Sequence, residues 1–355
     1  MKFLSIQYLR AVAAIAVVLH HASVSLFAGD HALIPFDIGM SGVDLFFVIS
    51  GFVIFYTTID DKTQPLTFLS RRLIRIVPIY FILTTLAYLI AVFAPQLTDT
   101  FSSNPYDYIR SILFIPYINP VYNLMRPEVG QGWSLNYEIF FYLIFGSLLV
   151  FRLNTRMMVC IATFVLLATL GGIINLSNVL ATTYTDSIML EFMFGLIIGY
   201  VVTRRNLDFG KLVILFLGTA VAAISLAAAS SGEIPRFVTF GIPSAAIVAG
   251  MIWLERQGKM PKWPILLLVG DASYSLYLTH TFVLAIARRI WMRIFDIMQP
   301  LTHVTFMIVA VLITTGVAVL IFQRFENPLT KRLLQLVKGR TKFTYHYSPS
   351  PRRNC

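Results

Sequence analysis

Apolar runs of about 18 residues or more recur along the whole of this 355-residue chain, and they limit what it can fold into. A run of that length is what an α-helix needs to cross the hydrocarbon core of a bilayer. Only 13% of the residues are charged, whereas a water-soluble domain has about 25%. The sequence therefore predicts an all-α, polytopic membrane protein.

The apolar runs predict about ten transmembrane helices, because unpaired backbone groups are too costly in lipid for irregular structure. The first run follows Lys2 but is interrupted by Arg10, His20 and His21, so we interpret it as a retained helix rather than a cleaved signal peptide. The long connection 95–132 contains a semi-apolar piece, 112–120, that we expect at the interface. The ten spans are placed at 8–27, 40–57, 74–94, 133–151, 157–175, 186–203, 211–230, 236–254, 265–287 and 302–323.

The basic residues indicate an orientation. With both termini in the cytoplasm, 22 of the 28 Lys and Arg fall on the inner side, as the positive-inside rule requires. Because they lie between apolar runs, the net charge of +11 does not indicate nucleic-acid binding. We expect residues 1–335 to form a single transmembrane domain and 336–355 a basic, disordered cytoplasmic tail. The cations left outside are Arg110, Arg126, Arg236, Arg288, Arg289 and Arg293.

Ionisable residues within spans are costly, so each is a candidate functional residue. Arg10 and His21 lie 11 residues apart on the first predicted helix, which is about three full turns and about 16 Å along its axis. They therefore share a face, with Arg10 near the cytoplasmic surface and His21 in the outer half. His20 points about 100° away and is expected to be a packed, hydrogen-bonded residue.

Helix depth predicts two layers of polar side chains. Arginine suits phosphate groups, and histidine suits a general base near neutral pH, with a carboxylate to fix its tautomer. The pattern favours a long, phosphate-bearing substrate such as acyl-coenzyme A, held from the inner side with its thioester beside His21. The expected outer layer is His21, Asp44, Glu138 and His280, and the expected inner ring is Arg10, Arg71, Arg72 and Arg75.

Other interpretations compete with this one. Arg10 and Arg75 lie near helix ends, where arginine extends to the surface without any further role. Asp44 and Glu138 suit structural pairs with an arginine or a tyrosine. A transporter or flippase for a glycan or lipid substrate also places charges in spans, but we see no repeated halves in the sequence. A scaffold for polysaccharide synthesis would not require His21 to share a face with Arg10.

Six segments resemble, in order, the acyltransferase 3 family of membrane acyltransferases, exopolysaccharide O-acetyltransferase type. They are YLRAVAAIAVVLHHA, GVDLFFVISGFVI, RRLIRIVPIY, GWSLNYEIFFYLIFG, DASYSLYLTH and FENP, from residue 8 to 328. The resemblance implies a ten-helix enzyme of the bacterial inner membrane that needs no metal. Its donor would be cytosolic acyl-CoA, acetyl-CoA foremost. Its acceptor would be a hydroxyl of a surface or lipid-linked polysaccharide.

The matching motifs imply roles for individual residues. His21 is expected to deprotonate the acceptor, with Glu138 or Asp44 orienting His21 or the acceptor. Direct transfer is favoured over an acyl-enzyme on Ser50, Ser134 or His21, since no nucleophile-elbow motif surrounds either serine. The residues expected to bind acyl-CoA are Arg10, Arg71, Arg72 and Arg75. Those expected to bind the acceptor are Trp133, Tyr142, Tyr277 and His280.

Overall fold

The computed structural model describes residues 3–26, 36–60, 63–98, 100–121, 123–174, 176–204, 209–229, 234–296 and 299–340. Within these ranges the chain is helical, and no β-strand is present. The α-helices of the described residues are α1 (Leu4–Ser25), α2 (Ser41–Thr57), α3 (Pro65–Phe93), α4 (Pro105–Ile112), α5 (Gly132–Ser147), α6 (Leu153–Ile173), α7 (Val179–Tyr184), α8 (Leu190–Thr203), α9 (Phe209–Ala229), α10 (Ile242–Arg256), α11 (Pro264–Asp271), α12 (Ser273–Ile294), α13 (Pro300–Ile321) and α14 (Asn327–Arg340).

The helices confirm the prediction of an all-α, polytopic membrane protein. The predicted spans 211–230 and 265–287 correspond to α9 and to α11 followed by α12. Eight helical segments of the described residues are long and apolar enough to cross a membrane: Leu4–Ser25, Asp37–Thr57, Pro65–Phe93, Gly132–Val150, Leu153–Ile173, Val179–Thr203, Phe237–Arg256 and Pro300–Val337.

The predicted start of the tail at residue 336 falls inside a helix. α14 continues to Arg340, with Gly339 in its last turn. Residues 341–355 lie outside the described residues, so the disorder expected for them stays a prediction.

Helix α1 is the central helix of the bundle and packs against α2, α10, α11, α12 and α13. The carboxylate of Glu255, at the end of α10, accepts hydrogen bonds from the backbone N–H groups of Leu4 (2.8 Å) and Ser5 (2.9 Å). Such N–H groups have no partner within their own helix, and a negative charge there complements the helix dipole. Helix α1 therefore runs through the interior of the bundle, and Arg10 and His21 lie among other helices.

Helices α2 and α8 form the closest helix pair because glycines face each other. A Cβ atom on Gly51 would lie 2.1 Å from the carbonyl oxygen of Phe192, and one on Gly195 would lie 2.0 Å from that of Val48. No larger residue fits such backbone contact. This contact fixes α2, the helix that carries Asp44 and Ser50.

The connection between α3 and α5 folds over the end of the bundle at which α1 stops, here called the outer end. We call residues 95–131 the outer cap. Its buried Glu128 accepts hydrogen bonds from the backbone N–H of Ser102 (2.8 Å) and the hydroxyl of Tyr117 (3.4 Å). Burial raises the pKa of the Glu128 carboxyl to about 7. The semi-apolar piece 112–120 belongs to this cap, with Phe114 and Tyr117 buried.

Candidate active site

A cavity of about 900 Å³ lies beneath the outer cap. His21 on α1, Trp133 on α5 and Tyr277 on α12 form part of its wall, together with Arg126 and Arg236. No Asp or Glu side chain lines it in the described part of the chain. We call this the outer cavity, and its wall combines basic groups with aromatic rings.

The ring of His21 is held in one tautomer. Its Nδ1 lies 2.9 Å from the carbonyl oxygen of Val17, and a carbonyl only accepts, so Nδ1 carries the proton. Nε2 therefore keeps its lone pair, as a general base requires. A backbone carbonyl thus orients the ring of His21, and among the described residues no hydrogen bond joins Asp44 or Glu138 to it; that either carboxylate orients the acceptor stays a prediction.

His280 packs against His21 instead of lining the outer cavity. The two ring centroids are 4.9 Å apart, and His280 is fully buried. Its Nδ1 lies 3.2 Å from the carbonyl oxygen of Leu276, and its Nε2 lies 3.4 Å from the amide nitrogen of Gln131. His280 is therefore in contact with His21 and buried, and its contact with the acceptor stays a prediction.

His20 also lines the outer cavity, on a different side of α1 from His21. Its Nδ1 lies 3.3 Å from the carbonyl oxygen of Phe36 and 3.7 Å from the carboxylate of Asp37. It is a hydrogen-bonded residue, as expected, and it is also part of the cavity wall, which was not expected.

Asp44 is fully buried near the start of α2 and pairs with Arg236. The guanidinium donates through Nε to Oδ1 (2.9 Å) and through Nη2 to Oδ2 (2.7 Å). It also lies over the ring of Trp133, 5.9 Å from the centroid. Asp44 thus holds Arg236 at the outer cavity. The structural pairing with an arginine is observed, and no hydrogen bond joins Asp44 to His21 among the described residues.

A second cavity, of about 170 Å³, lies closer to the first turn of α1. Arg10 lines it together with Arg72 and Arg75 of α3 and Ser50 of α2. We call it the middle cavity. Three guanidinium groups from two helices thus surround one small space, which suits an anionic or strongly polar ligand.

The outer and middle cavities share a wall. Val43 and Tyr277 line both of them. The Tyr277 hydroxyl lies 2.8 Å from the hydroxyl of Ser134 and donates to the carbonyl oxygen of Gln131 (3.1 Å). The division between the two cavities is therefore made largely of side chains.

Glu138 and Tyr142 belong to the middle cavity. Glu138 accepts hydrogen bonds from the hydroxyl of Ser50 (3.1 Å) and from that of Tyr142. Ser50, which donates to Glu138, lies six residues beyond Asp44 on α2, or about 9 Å further from the outer end. The single outer layer of four ionisable residues is therefore corrected to two depths. Tyr142 lies ten residues into α5, where the guanidinium of Arg72 lies over its ring, and its contact with the acceptor stays a prediction.

A third cavity, of about 500 Å³, lies at the inner end of the bundle and is lined by Arg71, Arg72 and Arg75. Arg72 donates to the hydroxyl of Thr57 (2.8 Å) and lies over the ring of Tyr142, 5.8 Å from the centroid. We call it the inner cavity. Since Arg72 and Arg75 line both the middle and inner cavities, the three cavities follow one another from the inner end to the outer cap.

Sequence reasoning missed Arg236 and Gln131. Arg236 was counted only as one of the few outer cations, although its place beside a predicted span was a usable signal. Gln131 directly precedes the GWSL motif, and it touches His280, Tyr277 and Thr281. No pattern in the sequence links it to those residues on α12.

The comparisons with known proteins agree with this architecture. The acyltransferase domain family matches residues 3–323. The exopolysaccharide production protein ExoZ of Rhizobium meliloti is 32% identical over 308 residues, which cover 84% of this chain and 91% of that protein.

Two more distant relatives are acyltransferases by name. The O-acetyltransferase OatA of Staphylococcus aureus is 25% identical over 362 residues, covering 91% of this chain and 56% of that longer protein. The acyltransferase MdmB of Streptomyces mycarofaciens is 24% identical over 317 residues, covering 81% of this chain and 80% of that protein. No solved structure is significantly similar to the chain. The chain is therefore a member of the acyltransferase 3 family.

Proposed function

We propose that the chain is an O-acetyltransferase of the bacterial inner membrane that moves an acetyl group from cytosolic acetyl-CoA to a hydroxyl of a surface or lipid-linked polysaccharide. The names of two relatives, an exopolysaccharide production protein and an O-acetyltransferase, support the reaction and the class of acceptor. The observation that carries the proposal is the row of three cavities, with arginines at one end and His21 at the other.

The donor is proposed to enter from the inner cavity. Its phosphate groups would bind Arg71, Arg72 and Arg75, because guanidinium groups offer several fixed donors to phosphate. The pantetheine arm would extend through the middle cavity past Arg10. Arg10 and His21 are separated by about 16 Å along α1, a span that calls for a long, thin donor. This orientation puts the inner end, and with it both termini, in the cytoplasm.

In the proposed step the acceptor hydroxyl gives its proton to Nε2 of His21, and its oxygen attacks the thioester carbonyl carbon. The C–S bond then breaks, and the sulfur leaves with the bonding electron pair. The proton passes from His21 to that sulfur, so the products are an O-acetyl ester and the free thiol of coenzyme A. The hydroxyls of Tyr277 and Ser134 lie at the wall between the cavities, and by turning away from the carbonyl of Gln131 they would donate to the oxyanion.

The roles proposed for the carboxylates change with their positions. Asp44 acts as a positioning residue for Arg236, which presents its guanidinium to the acceptor side. Glu138 acts as a positioning residue for Ser50 and Tyr142 in the donor path. Neither carboxylate contacts the proposed base.

The test uses purified protein in sealed lipid vesicles, with acetyl-CoA carrying a radiolabelled acetyl group and a polysaccharide extract as acceptor. The expected result is an alkali-labile label in the polysaccharide and an equal amount of free coenzyme A thiol. Movement of the polysaccharide across the vesicle membrane without any label would contradict the proposal and support the alternative function, a transporter or flippase for a glycan or lipid substrate.

A further inference from the structure

The outer cavity has one apolar side, formed by residues of α3 and α12. Leu86 of α3 and Ile286 of α12 line it, yet their side chains are 44% and 62% exposed. In a bilayer-spanning bundle, an exposed apolar side chain within a span contacts acyl chains. Helix α12 packs mainly against α1 and α13 and only lightly against α3. The cavity wall between α3 and α12 is therefore apolar and only lightly packed.

Two arginines stand at the outer rim of this wall. Arg288 and Arg289 follow Ile286 on α12 and line the same cavity. Arg289 donates to the carbonyl oxygen of Leu97 in the outer cap. The Nε of Arg288 is buried and has no hydrogen-bond partner within the ranges the structure describes. A buried guanidinium N–H without an acceptor is costly, which indicates that a ligand supplies the acceptor.

The charge of the rim also needs an explanation. Arg288 and Arg289 belong to the outer arginine cluster that runs against the positive-inside rule. No carboxylate lines the outer cavity in the part of the chain described above. A phosphate group at this depth would satisfy both arginines, since arginine binds phosphate through paired N–H donors.

We propose, on the basis of the function above, that the acceptor is a membrane-anchored saccharide that enters from the lipid between α3 and α12. Its apolar chain lies against Leu86 and Ile286, and the phosphate or diphosphate joining sugar to lipid binds Arg288 and Arg289. The sugars extend from there into the outer cavity toward His21.

The spacing on α12 adds a positional consequence. His280, the residue packed against His21, lies eight residues before Arg288, or about 12 Å along the helix axis. Thr281 lies between them on the wall, and its hydroxyl is 3.4 Å from the side-chain oxygen of Gln131. Because the distance from Arg288 to the pair His280 and His21 is this short, the acetylated sugar lies near the phosphate end of the glycan and not at its far end.

The first experiment compares two forms of one acceptor in phosphatidylcholine vesicles. The lipid-linked saccharide fraction of bacterial cells is used intact or after mild acid has cleaved the glycosyl phosphate bond. The intact form is expected to be acetylated at least about tenfold faster at equal concentration. Equal rates for the two forms would overturn the inference while leaving the O-acetyltransferase proposal intact, whereas no label in either form would contradict that proposal itself.

The second experiment tests the arginines. Arg288→Gln together with Arg289→Gln should raise the KM for the intact acceptor at least about tenfold, while the KM for acetyl-CoA stays unchanged. Arg293→Gln, one helical turn further along and outside the cavity wall, is the matched control and should change neither value. An unchanged acceptor KM in the double variant would contradict the phosphate site.

The third experiment distinguishes the acceptor's phosphate from ordinary lipid headgroups. Wild-type activity is expected in pure phosphatidylcholine, and added phosphatidylglycerol should only compete with the acceptor. If transfer instead required phosphatidylglycerol, the two arginines would be headgroup ligands and the proposal would be overturned.

A fourth experiment tests the proposed opening between α3 and α12. Ile286→Trp should slow transfer to the intact acceptor more than to the acid-released saccharide. Equal slowing of both would contradict lateral entry.

Discussion

The outer and middle cavities are built from different chemistry although they share a wall at Val43 and Tyr277. The outer cavity is large, holds imidazole and aromatic rings and has no carboxylate in its described wall. The middle cavity is small and combines three arginines with Glu138. On the proposed function, the donor would reach the shared wall through the middle cavity and the acceptor through the outer cavity, with the base on the acceptor side only.

The largest effect is expected from removing the proposed base. His21→Ala should lower kcat by about a thousandfold, within the usual range for general-base catalysis, and leave the KM for acetyl-CoA unchanged. His20→Ala, which removes the neighbouring ring of the same cavity, should cost less than about tenfold. Steady-state transfer of labelled acetyl groups measures both, and equal losses in the two variants would show that the cavity lacks a dedicated base.

Breaking the ion pair of the outer cavity should have the next largest effect. Asp44 is fully buried but Arg236 is 30% exposed, so Asp44→Asn removes a partly buried, charge-assisted pair of hydrogen bonds, which costs about 2 kcal/mol. The free energy of unfolding in detergent should fall by that amount. Asp37→Asn is the control, because its carboxylate is 67% exposed and lies 3.7 Å from His20. Equal stability of D44N and wild type would exclude a structural ion pair.

A change in the middle cavity should affect the donor and spare the acceptor. Arg10→Gln is expected to raise the KM for acetyl-CoA by about a hundredfold, the loss of one or two charge-assisted hydrogen bonds, with a smaller change in kcat. Arg204→Gln is the control, since Arg204 bonds to Asn154 outside the three cavities. A larger effect of R10Q on the acceptor KM than on the donor KM would reverse the proposed order of the cavities.

The smallest effect concerns the outer cap. Because burial raises the pKa of Glu128 to about 7, above the ordinary carboxyl value of about 4.3, the folded cap holds a proton that the unfolded cap releases. The stability of the cap should therefore fall as the pH rises from about 4.3 to about 7 and then level off.

Hydrogen exchange of the Ser102 backbone amide, corrected for its intrinsic rate, measures this dependence. Glu128→Gln should flatten it, although Asp107 and Tyr117 remain in place. A dependence of the same size in E128Q would assign the effect to another group.

Features that lie within one helix were predictable from the sequence. Arg10 and His21 sit on α1, so the helical repeat alone fixes their relative direction and separation. The spacing of Gly195 and Gly199 within α8 is typical of a close helix contact in membranes, although it does not indicate that the partner helix is α2.

Features that join distant helices were not predictable in the same way. Asp44 and Arg236 are separated by 192 residues, and no periodicity relates them. The start of α5 was predicted to within one residue, but the sequence does not fix how far one helix is shifted along its axis relative to another, so the depth of Glu138 relative to Asp44 was misjudged. The hydrogen bond from His21 to Val17 is local, but a backbone acceptor leaves no signature in the side chains.

The most direct test is a structure of the protein bound to a thioether analogue of acetyl-CoA. The proposal predicts phosphate oxygens within hydrogen-bonding distance of Arg72 or Arg75, and the analogue's carbonyl group at the Tyr277 wall on the side of His21. An analogue bound wholly in the outer cavity, or with its nucleotide at the outer cap, would contradict it.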